Sequence, residues 1–163
     1  MSRLFIIVVP LWTAFCAGQP WAASERPSLR AVAVRWADYY ARAYGVPSAF
    51  VAAIIDVESA WRPHAVSAKG ASGVIQLMPA TAYQFGVANR FHAEENIRGG
   101  VAYLAHLMWR FGGELRLVAA AYYAGETRIR KLGLNCADPA IYRYVMAVQR
   151  SYRIRRAVMR RNT

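Results

Sequence analysis

A single glutamate occupies a position where an apolar residue is expected. Glu58 follows Val51, Ile54 and Ile55 at the spacing that places side chains on one face of a helix. Burial on such a face disfavours the charged form of the carboxyl group and raises its pKa. A carboxylic acid that stays protonated near neutral pH can donate a proton to the leaving oxygen of a glycosidic bond. The spacing is also compatible with a glutamate that only caps or salt-bridges the helix end.

No second carboxylate lies close to Glu58 in the sequence. Asp56 is two residues away, about 200° around a helix, and so points to roughly the opposite side. Between residues 59 and 91 there is no Asp or Glu at all. Glycosidases that hydrolyse their substrate commonly use two carboxyl groups. A second acid would have to come from a distant part of the chain, and the candidates are Glu94, Glu95 and Glu126.

The elements that must position Glu58 are all predicted to be helices. Apolar residues recur at helical spacing, and proline and glycine mark the starts and ends. The predicted helices cover residues 28–44, 48–59, a short segment after Pro79, 96–111, 114–124, 127–132, and a last segment from Pro139. Residues 62–73 lack periodicity and are rich in Gly, Ser and Pro, which predicts a loop. These elements predict one all-α domain without an internal linker.

The cysteines and histidines predict neither a disulfide nor a metal site. Cys16 lies in the N-terminal apolar segment, which leaves Cys136 without a partner for an internal disulfide. The three histidines, at positions 64, 92 and 106, do not have the spacing of metal ligands. We therefore expect no metal and no cofactor.

Several segments, in the same order and spacing, resemble the lytic transglycosylases. The similarity is to the soluble-lytic-transglycosylase (SLT) domain family, whose fold is lysozyme-like of the goose type, and it covers roughly residues 36–150. The segments read Glu-Ser-Ala-Trp-Arg-Pro from Glu58, Ala-Val-Ser from Ala65, Gln-Leu-Met-Pro-Ala-Thr-Ala from Gln76, Asn-Ile-Arg-Gly-Gly from Asn96, Phe-Gly-Gly from Phe111 and Ala-Tyr-Tyr-Ala-Gly from Ala121. Each segment is weak evidence alone, but their combination is specific.

The resemblance implies roles for individual residues. Glu58 matches the family's catalytic acid, and Ser67 matches a serine that lines the cleft near the reacting sugar. Gln76 matches a glutamine that contacts the glycan, and Tyr144 resembles a tyrosine near the catalytic glutamate. Without the resemblance, Ser67 would be interpreted as a turn cap, Gln76 as a helix cap and Tyr144 as a core aromatic.

The sequence departs from the family pattern at several positions in the same region. Tyr123 stands where the family has a substrate-contacting Asn, so a ring with one hydroxyl replaces an amide that both donates and accepts. We expect this change to weaken recognition of the acetamido group or to shift it towards stacking. Val74 and Ile75 replace Leu and Met and are expected to change the cleft wall. Ser72 stands where Met or Leu is common.

The resemblance implies cleavage of the MurNAc–GlcNAc β-1,4 bond of peptidoglycan to a 1,6-anhydro-MurNAc product, without water. One glutamate suffices for this reaction, in agreement with the missing second acid. The expected partners are peptidoglycan glycan strands, with a secretion or conjugation apparatus of the envelope as a further partner by analogy, and the protein is expected to be a monomer. Two alternatives remain: a muramidase that hydrolyses with water, and a non-catalytic peptidoglycan-binding or scaffold protein.

The N-terminus has the pattern of a secretory signal peptide. Arg3 is followed by an almost wholly apolar run over residues 4–15 and by small residues at 22–24. The run is short for a membrane span, although a retained N-terminal anchor is the alternative. Residues 1–23 are therefore predicted to be a signal peptide, with cleavage after Ala23 or Ser24, and the protein is expected in the periplasm.

The chain is strongly basic, with 21 Lys and Arg against nine Asp and Glu and a net charge of +12. Six arginines lie in the last fourteen residues, which predicts that residues 28–150 form the domain and residues 151–163 a basic C-terminal tail. Export argues against nucleic acid as the partner of this charge. An anionic envelope polymer, a membrane surface or another envelope protein is expected instead, and a merely solvated helix end is the alternative.

Overall fold

The computed structural model describes residues 27–133 and 138–161, and within these ranges it contains helices and no strand. The all-α prediction is confirmed. The helices are α1 (Leu29–Ala43), α2 (Ser48–Glu58), α3 (Pro79–Gln84), α4 (Ala93–Arg110), α5 (Leu115–Ala124), α6 (Glu126–Leu132) and α7 (Pro139–Arg161). The predicted signal peptide, Cys16 and Cys136 lie outside the described residues. No helix in the described ranges is long and apolar enough to span a membrane.

Helix α2 forms the centre of the fold. Seven consecutive residues, from Ala49 to Ile55, are buried, so α2 is covered on nearly all sides rather than along one face. It packs most extensively against α7 and also against α1, while α1 packs on α4 and α5 packs on α7 and α6. A helix that is apolar all round is stable only inside a protein. Glu58, the last residue of α2, is therefore carried to the edge of the core by a rigid element.

Helix α7 continues without interruption past residue 150 to Arg161. Its second half is bonded to Asp56 near the end of α2. The Arg155 guanidinium donates from Nε to Asp56 Oδ2 at 2.8 Å and from Nη2 to Oδ1, and the hydroxyl of Ser151 donates to Oδ2 at 2.6 Å. The indole Nε1 of Trp61 also donates to Oδ1 at 2.6 Å. Burial raises the pKa of Asp56, but these bonds outweigh it and hold the pKa below its usual value.

Helix α4 begins three residues earlier than the sequence predicts. Asn96, expected to open the helix, instead lies in its first turn and is fully buried. Gly99 and Gly100 follow and allow close packing: a Cβ on Gly100 would lie 2.2 Å from Cγ2 of Ile75, and one on Gly99 would lie 2.2 Å from Cγ2 of Val87. The two glycines let α4 approach the chain that leads into and out of α3.

We predict that Asp56→Ala destabilises the fold by about 2 kcal/mol, because Arg155 would be left half-buried without its carboxylate partner. Asp38→Ala is the matched control. Asp38 pairs with Arg42 at 2.8 Å on the exposed side of α1, and its loss is expected to cost less than about 0.5 kcal/mol. The free energies of unfolding are measured by urea denaturation of both variants. Equal losses in the two variants would contradict the structural role of Asp56.

Candidate active site

The chain turns sharply directly after Glu58. Ala60 and Trp61 both have positive φ, at 51° and 69°, a conformation that costs energy for residues other than glycine. The turn is held because Trp61 is buried and bonded to Asp56, and because the Ser59 hydroxyl donates to the carbonyl of Val74. The carboxyl group of Glu58 is thus fixed at a helix end whose direction is set by buried contacts on both sides.

Residues 59–78 form the long loop between α2 and α3, called here the 59–78 loop. Asn96 connects the loop to α4: its Oδ1 accepts from the Ile75 N–H at 2.9 Å, and its Nδ2 donates to the Ser72 carbonyl at 3.0 Å. Gly73 passes so close to α4 that a Cβ would meet the Asn96 amide at 2.4 Å, and its φ of 86° also requires glycine. The buried Asn96 side chain therefore satisfies backbone groups of the loop that have no partner in a helix or sheet.

Arg90 is a second organiser of the 59–78 loop that the sequence analysis missed. Its Nη1 donates to the Gly70 carbonyl at 2.7 Å, to the Ser72 hydroxyl at 3.0 Å and to the Leu77 carbonyl at 3.2 Å. Ser72, one of the departures from the family pattern, is buried and serves as one of these acceptors. The available sequence signal was weak: one arginine in a polar loop, with no periodicity to show where it points.

A cleft of about 340 Å³ opens beside Glu58. Its lining includes four of the predicted site residues, Glu58, Ser67, Gln76 and Tyr123, together with Lys69, Met78 and Tyr122. The fifth predicted residue, Tyr144, contacts two of the four. Val74 and Ile75 are fully buried and do not line the cleft, so the expectation that they change the cleft wall is wrong. Both side chains belong to the hydrophobic core, and that of Ile75 lies against Gly100 of α4.

Glu58 has the environment of a proton donor. Burial raises the pKa of its carboxyl group to about 7, although the hydrogen bond from Tyr144 lowers it. The Tyr144 hydroxyl donates to Oε1 at 2.6 Å. Within the described residues Oε2 has no hydrogen-bond partner, and it is not a buried unsatisfied atom, so it faces the open cleft. Oε2 is therefore the oxygen that can carry the transferable proton.

Gln76 is held in a fixed orientation. Its φ is 54°, and its Nε2 donates to the carbonyls of Ala65 and Gly73, both at 2.9 Å. Both amide hydrogens are thereby used, and Oε1 remains as an acceptor open to the cleft. The helix-capping alternative for Gln76 is not what the structure shows. Ser67 both lines the cleft and caps a turn, since its Oγ accepts from the Ala71 N–H at 3.1 Å.

Tyrosines form the wall of the cleft opposite the 59–78 loop. The rings of Tyr123 and Tyr144 are stacked, with centroids 4.7 Å apart and planes 23° from parallel. Tyr123 is 44% exposed and lines the cleft. The Tyr122 hydroxyl donates to the Ile75 carbonyl at 2.7 Å and so joins α5 to the 59–78 loop. Burial, and then the nearby Glu58 carboxylate, raise the pKa of Tyr144 well above its usual value, which keeps it a donor.

The three candidates for a second acid, Glu94, Glu95 and Glu126, form hydrogen bonds away from the cleft. Glu94 accepts from the Tyr40 hydroxyl at 3.0 Å, and Glu95 accepts from two backbone N–H groups at the turn before α4. Glu126 lies between His106 and Arg110, at 2.7 and 2.8 Å. Glu58 is thus the only acidic residue among the described residues that line the cleft. The described ranges also contain no group of His, Cys, Asp and Glu that could hold a metal ion.

The chain is similar in sequence to proteins described as transglycosylases. A transglycosylase of Enterobacteria phage PRD1 is 36% identical over 85 residues, which cover 52% of this chain and 32% of the phage protein. The soluble lytic murein transglycosylase of Salmonella typhimurium is 35% identical over 101 residues, covering 56% of this chain and 16% of that protein. The chain thus spans a third or less of the length of these relatives.

A solved structure shows the same fold. An inactive mutant of the lytic transglycosylase Slt from Pseudomonas aeruginosa, with a glutamate replaced by glutamine, superposes with a TM-score of 0.70 at 28% identity, covering 77% of this chain and 24% of that one. The family model described as the transglycosylase SLT domain matches residues 35–144, which include Glu58 and the whole cleft. This chain belongs to the transglycosylase SLT domain family.

Proposed function

We propose that the chain is a peptidoglycan lytic transglycosylase in which Glu58 is the catalytic acid and base. The observation that carries the proposal is the position of Glu58: a protonatable carboxyl group with a pKa near 7, open to a cleft in which it is the only acidic residue among the described residues. Among the described residues, no second carboxylate lines the cleft as a candidate nucleophile or general base, which favours the one-glutamate reaction. The similarity to soluble lytic murein transglycosylases supports peptidoglycan as the substrate.

In the proposed reaction, Glu58 acts twice. Its Oε2 hydroxyl gives a proton to the glycosidic oxygen as the bond between that oxygen and C1 of MurNAc breaks, which releases the GlcNAc O4 hydroxyl. The resulting carboxylate then takes the proton from the C6 hydroxyl of the same MurNAc as O6 bonds to C1. The product is a 1,6-anhydro-MurNAc end, the carboxyl group is protonated again, and no water is consumed.

In this proposal, the hydrogen bond from Tyr144 gives the two carboxyl oxygens of Glu58 different roles. Tyr144 occupies Oε1 and leaves Oε2 for proton transfer, while the stack with Tyr123 holds the Tyr144 ring in place. The exposed face of Tyr123 offers a flat apolar surface to a sugar ring, and Gln76 Oε1 offers an acceptor for an amide or hydroxyl donor. Ser67 completes the lining of the proposed substrate site.

We also propose that the protein acts in the periplasm, as the signal-peptide pattern of residues 1–23 indicates. A single domain that cleaves glycan strands, without further domains over the described ranges, suits local opening of the wall for a secretion or conjugation apparatus. The protein is also proposed to act as a monomer, in which one chain supplies the residues that line the cleft.

We predict that Glu58→Gln abolishes the digestion of purified sacculi, because an amide cannot donate and recover the proton. The loss of activity is expected to exceed about 10³-fold, measured as turbidity clearing. The products of the unmodified chain are expected to carry 1,6-anhydro ends in mass spectrometry. Glu94→Gln is the matched control, because Glu94 bonds to Tyr40 and does not line the cleft, and it should keep most of the activity.

The alternatives give different results in the same experiment. Products with reducing ends instead of anhydro ends would show a hydrolytic muramidase. Binding of sacculi without any clearing, by the unmodified chain and by Glu58→Gln alike, would show a non-catalytic peptidoglycan-binding protein.

We predict that activity falls as the pH rises through about 7, where Glu58 loses its transferable proton. Tyr144→Phe removes a hydrogen bond that lowers the Glu58 pKa, so the alkaline limb of the pH–rate profile should move upward by about 0.5 to 1 pH unit. Tyr142→Phe, on the exposed side of the same helix, should leave the profile unchanged. An unshifted limb in Tyr144→Phe would show that the hydrogen bond does not set the titration.

We predict that Glu58→Gln stabilises the fold in a pH-dependent way. The folded pKa lies above the ordinary value of 4.5, so the stability associated with the protonated form is complete below about pH 4.5 and is lost as the pH rises through 7. Glutamine avoids this loss. The variant should therefore gain on the order of 1–3 kcal/mol over the unmodified chain at pH 8 and little at pH 4.5, measured by urea denaturation. A pH-independent difference would contradict burial of the carboxyl group.

A further inference from the structure

A second concave surface lies between α5 and α7, built from residues that the cleft does not use. It is a pocket of about 230 Å³, called here the α5–α7 pocket, and its lining is largely apolar. Leu115 and Ala119 come from α5, Val145 and Val148 from α7, and Phe50 from α2. These side chains belong to the rigid core or pack directly against it, so the pocket is preformed.

A basic hollow adjoins the α5–α7 pocket. Gln149 and Tyr152 line both surfaces, and the hollow continues to Arg153 and Arg156 along α7. The guanidinium of Arg156 lies 5.7 Å from the centre of the Tyr152 ring. Neither Arg153 nor Arg156 forms an ion pair with a carboxylate of the described chain. An apolar cavity and uncompensated cations therefore form one continuous surface.

Nearby acids do not neutralise this surface. Helix α7 contains no Asp or Glu along its 23 residues. Glu114 lines the α5–α7 pocket, but its carboxylate accepts from both the backbone N–H and the side chain of Arg116, each at 3.2 Å. Those bonds hold the pKa of Glu114 below its usual value and fix the carboxylate at the start of α5. The positive charge of the basic hollow remains available to an external anion.

We propose that the α5–α7 pocket and the basic hollow together bind an acidic segment of a partner protein. One large apolar side chain of the segment fills the pocket, and adjacent carboxylates pair with Arg153 and Arg156, which suit carboxylates because of their planar forked donors. This combination of a buried anchor and charged neighbours is typical of protein interfaces. The surface is distinct from the cleft and does not depend on the proposed cleavage reaction.

The shape of the surface selects this occupant over other anions. A glycan strand has no large apolar side chain to fill a pocket bounded by Phe50 and Leu115. A bilayer surface is flat on this scale and leaves a recess between two helices unfilled. A protruding side chain of a protein segment fills it, and the flanking acidic residues of the same segment reach the arginines one and two turns further along α7.

The test uses a fluorescein-labelled peptide with one tryptophan between two pairs of glutamates, titrated with the purified full chain by fluorescence anisotropy. Replacing the tryptophan by glycine, or the four glutamates by glutamines, should weaken binding by at least about 10-fold. The double substitution Arg153→Gln/Arg156→Gln in the protein should weaken binding by a similar factor, and Gln149→Trp should block the pocket entrance.

Arg143→Gln/Arg150→Gln is the matched control, because it removes two exposed arginines from the same helix outside the basic hollow. It should change the affinity by less than about 2-fold. Equal losses in the two double variants would show unspecific charge attraction, and equal binding of the glycine peptide would show that the pocket is not used. Either result would overturn the proposal.

Two further measurements complete the test. If phosphatidylglycerol vesicles bind through Arg153 and Arg156 while the tryptophan peptide does not, the surface is a membrane site and the proposal is wrong. Both double variants should digest sacculi as the unmodified chain does, since none of the four arginines lines the cleft. Failure of the docking proposal is thereby separated from failure of the proposed enzyme activity.

Discussion

The hydrogen bond between Tyr144 and Glu58 is the interaction on which the arrangement of the site depends. It joins the end of α2 to the first half of α7, the two helices that pack most extensively on each other. Because α2 is buried on nearly all sides, the carboxyl group cannot move without disturbing the core. The bond also makes the two carboxyl oxygens different, because Oε1 accepts from Tyr144 while Oε2 stays open to the cleft. Position, orientation and protonation of Glu58 thus follow from one helix pair.

The other side of the cleft has a different origin. The 59–78 loop has no regular secondary structure, and side chains from outside it supply its order. Asn96 and Arg90 together satisfy five polar groups of the loop, and Tyr122 holds a sixth. These bonds fix the stretch from Gly70 to Leu77, which includes the positive φ of Gln76.

Helical periodicity predicted most helix boundaries to within a residue or two, because caps, prolines and apolar spacing are local signals. Asn96 shows where that method fails. Asparagine is a good helix-capping residue, so its role in a distant loop could not be recognised from local pattern. The prediction that Val74 and Ile75 line the cleft was wrong for a related reason. In a segment without periodicity, the direction of a side chain depends on its tertiary contacts and cannot be predicted from the local sequence. Glu58 could be singled out because a carboxylate on an apolar face is anomalous in itself.

The pairing of Tyr123 with Tyr144 could not have been predicted from either residue. The sequence indicated a changed substrate contact at Tyr123, but the partner of its ring lies on another helix, far along the chain. The stack gives the substitution a second role, since the same ring covers Tyr144 and lines the cleft. A change at this position would therefore alter both the surface of the cleft and the ring packed on Tyr144, whose hydroxyl bonds to Glu58.

The contacts of Asp56 with Ser151 and Arg155 change how the end of the chain is to be understood. By composition, residues 151–163 are predicted to be a basic C-terminal tail. In the fold, Ser151 and Arg155 hold the end of α2: a protein ending at residue 150 would lose these two partners of the Asp56 carboxylate, which lies two positions before Glu58. Among the residues that the structure describes, the indole of Trp61 would then be the one remaining donor to that carboxylate. The part of α7 after residue 150 thus presents exposed arginines to solvent and also binds the end of the helix that carries Glu58.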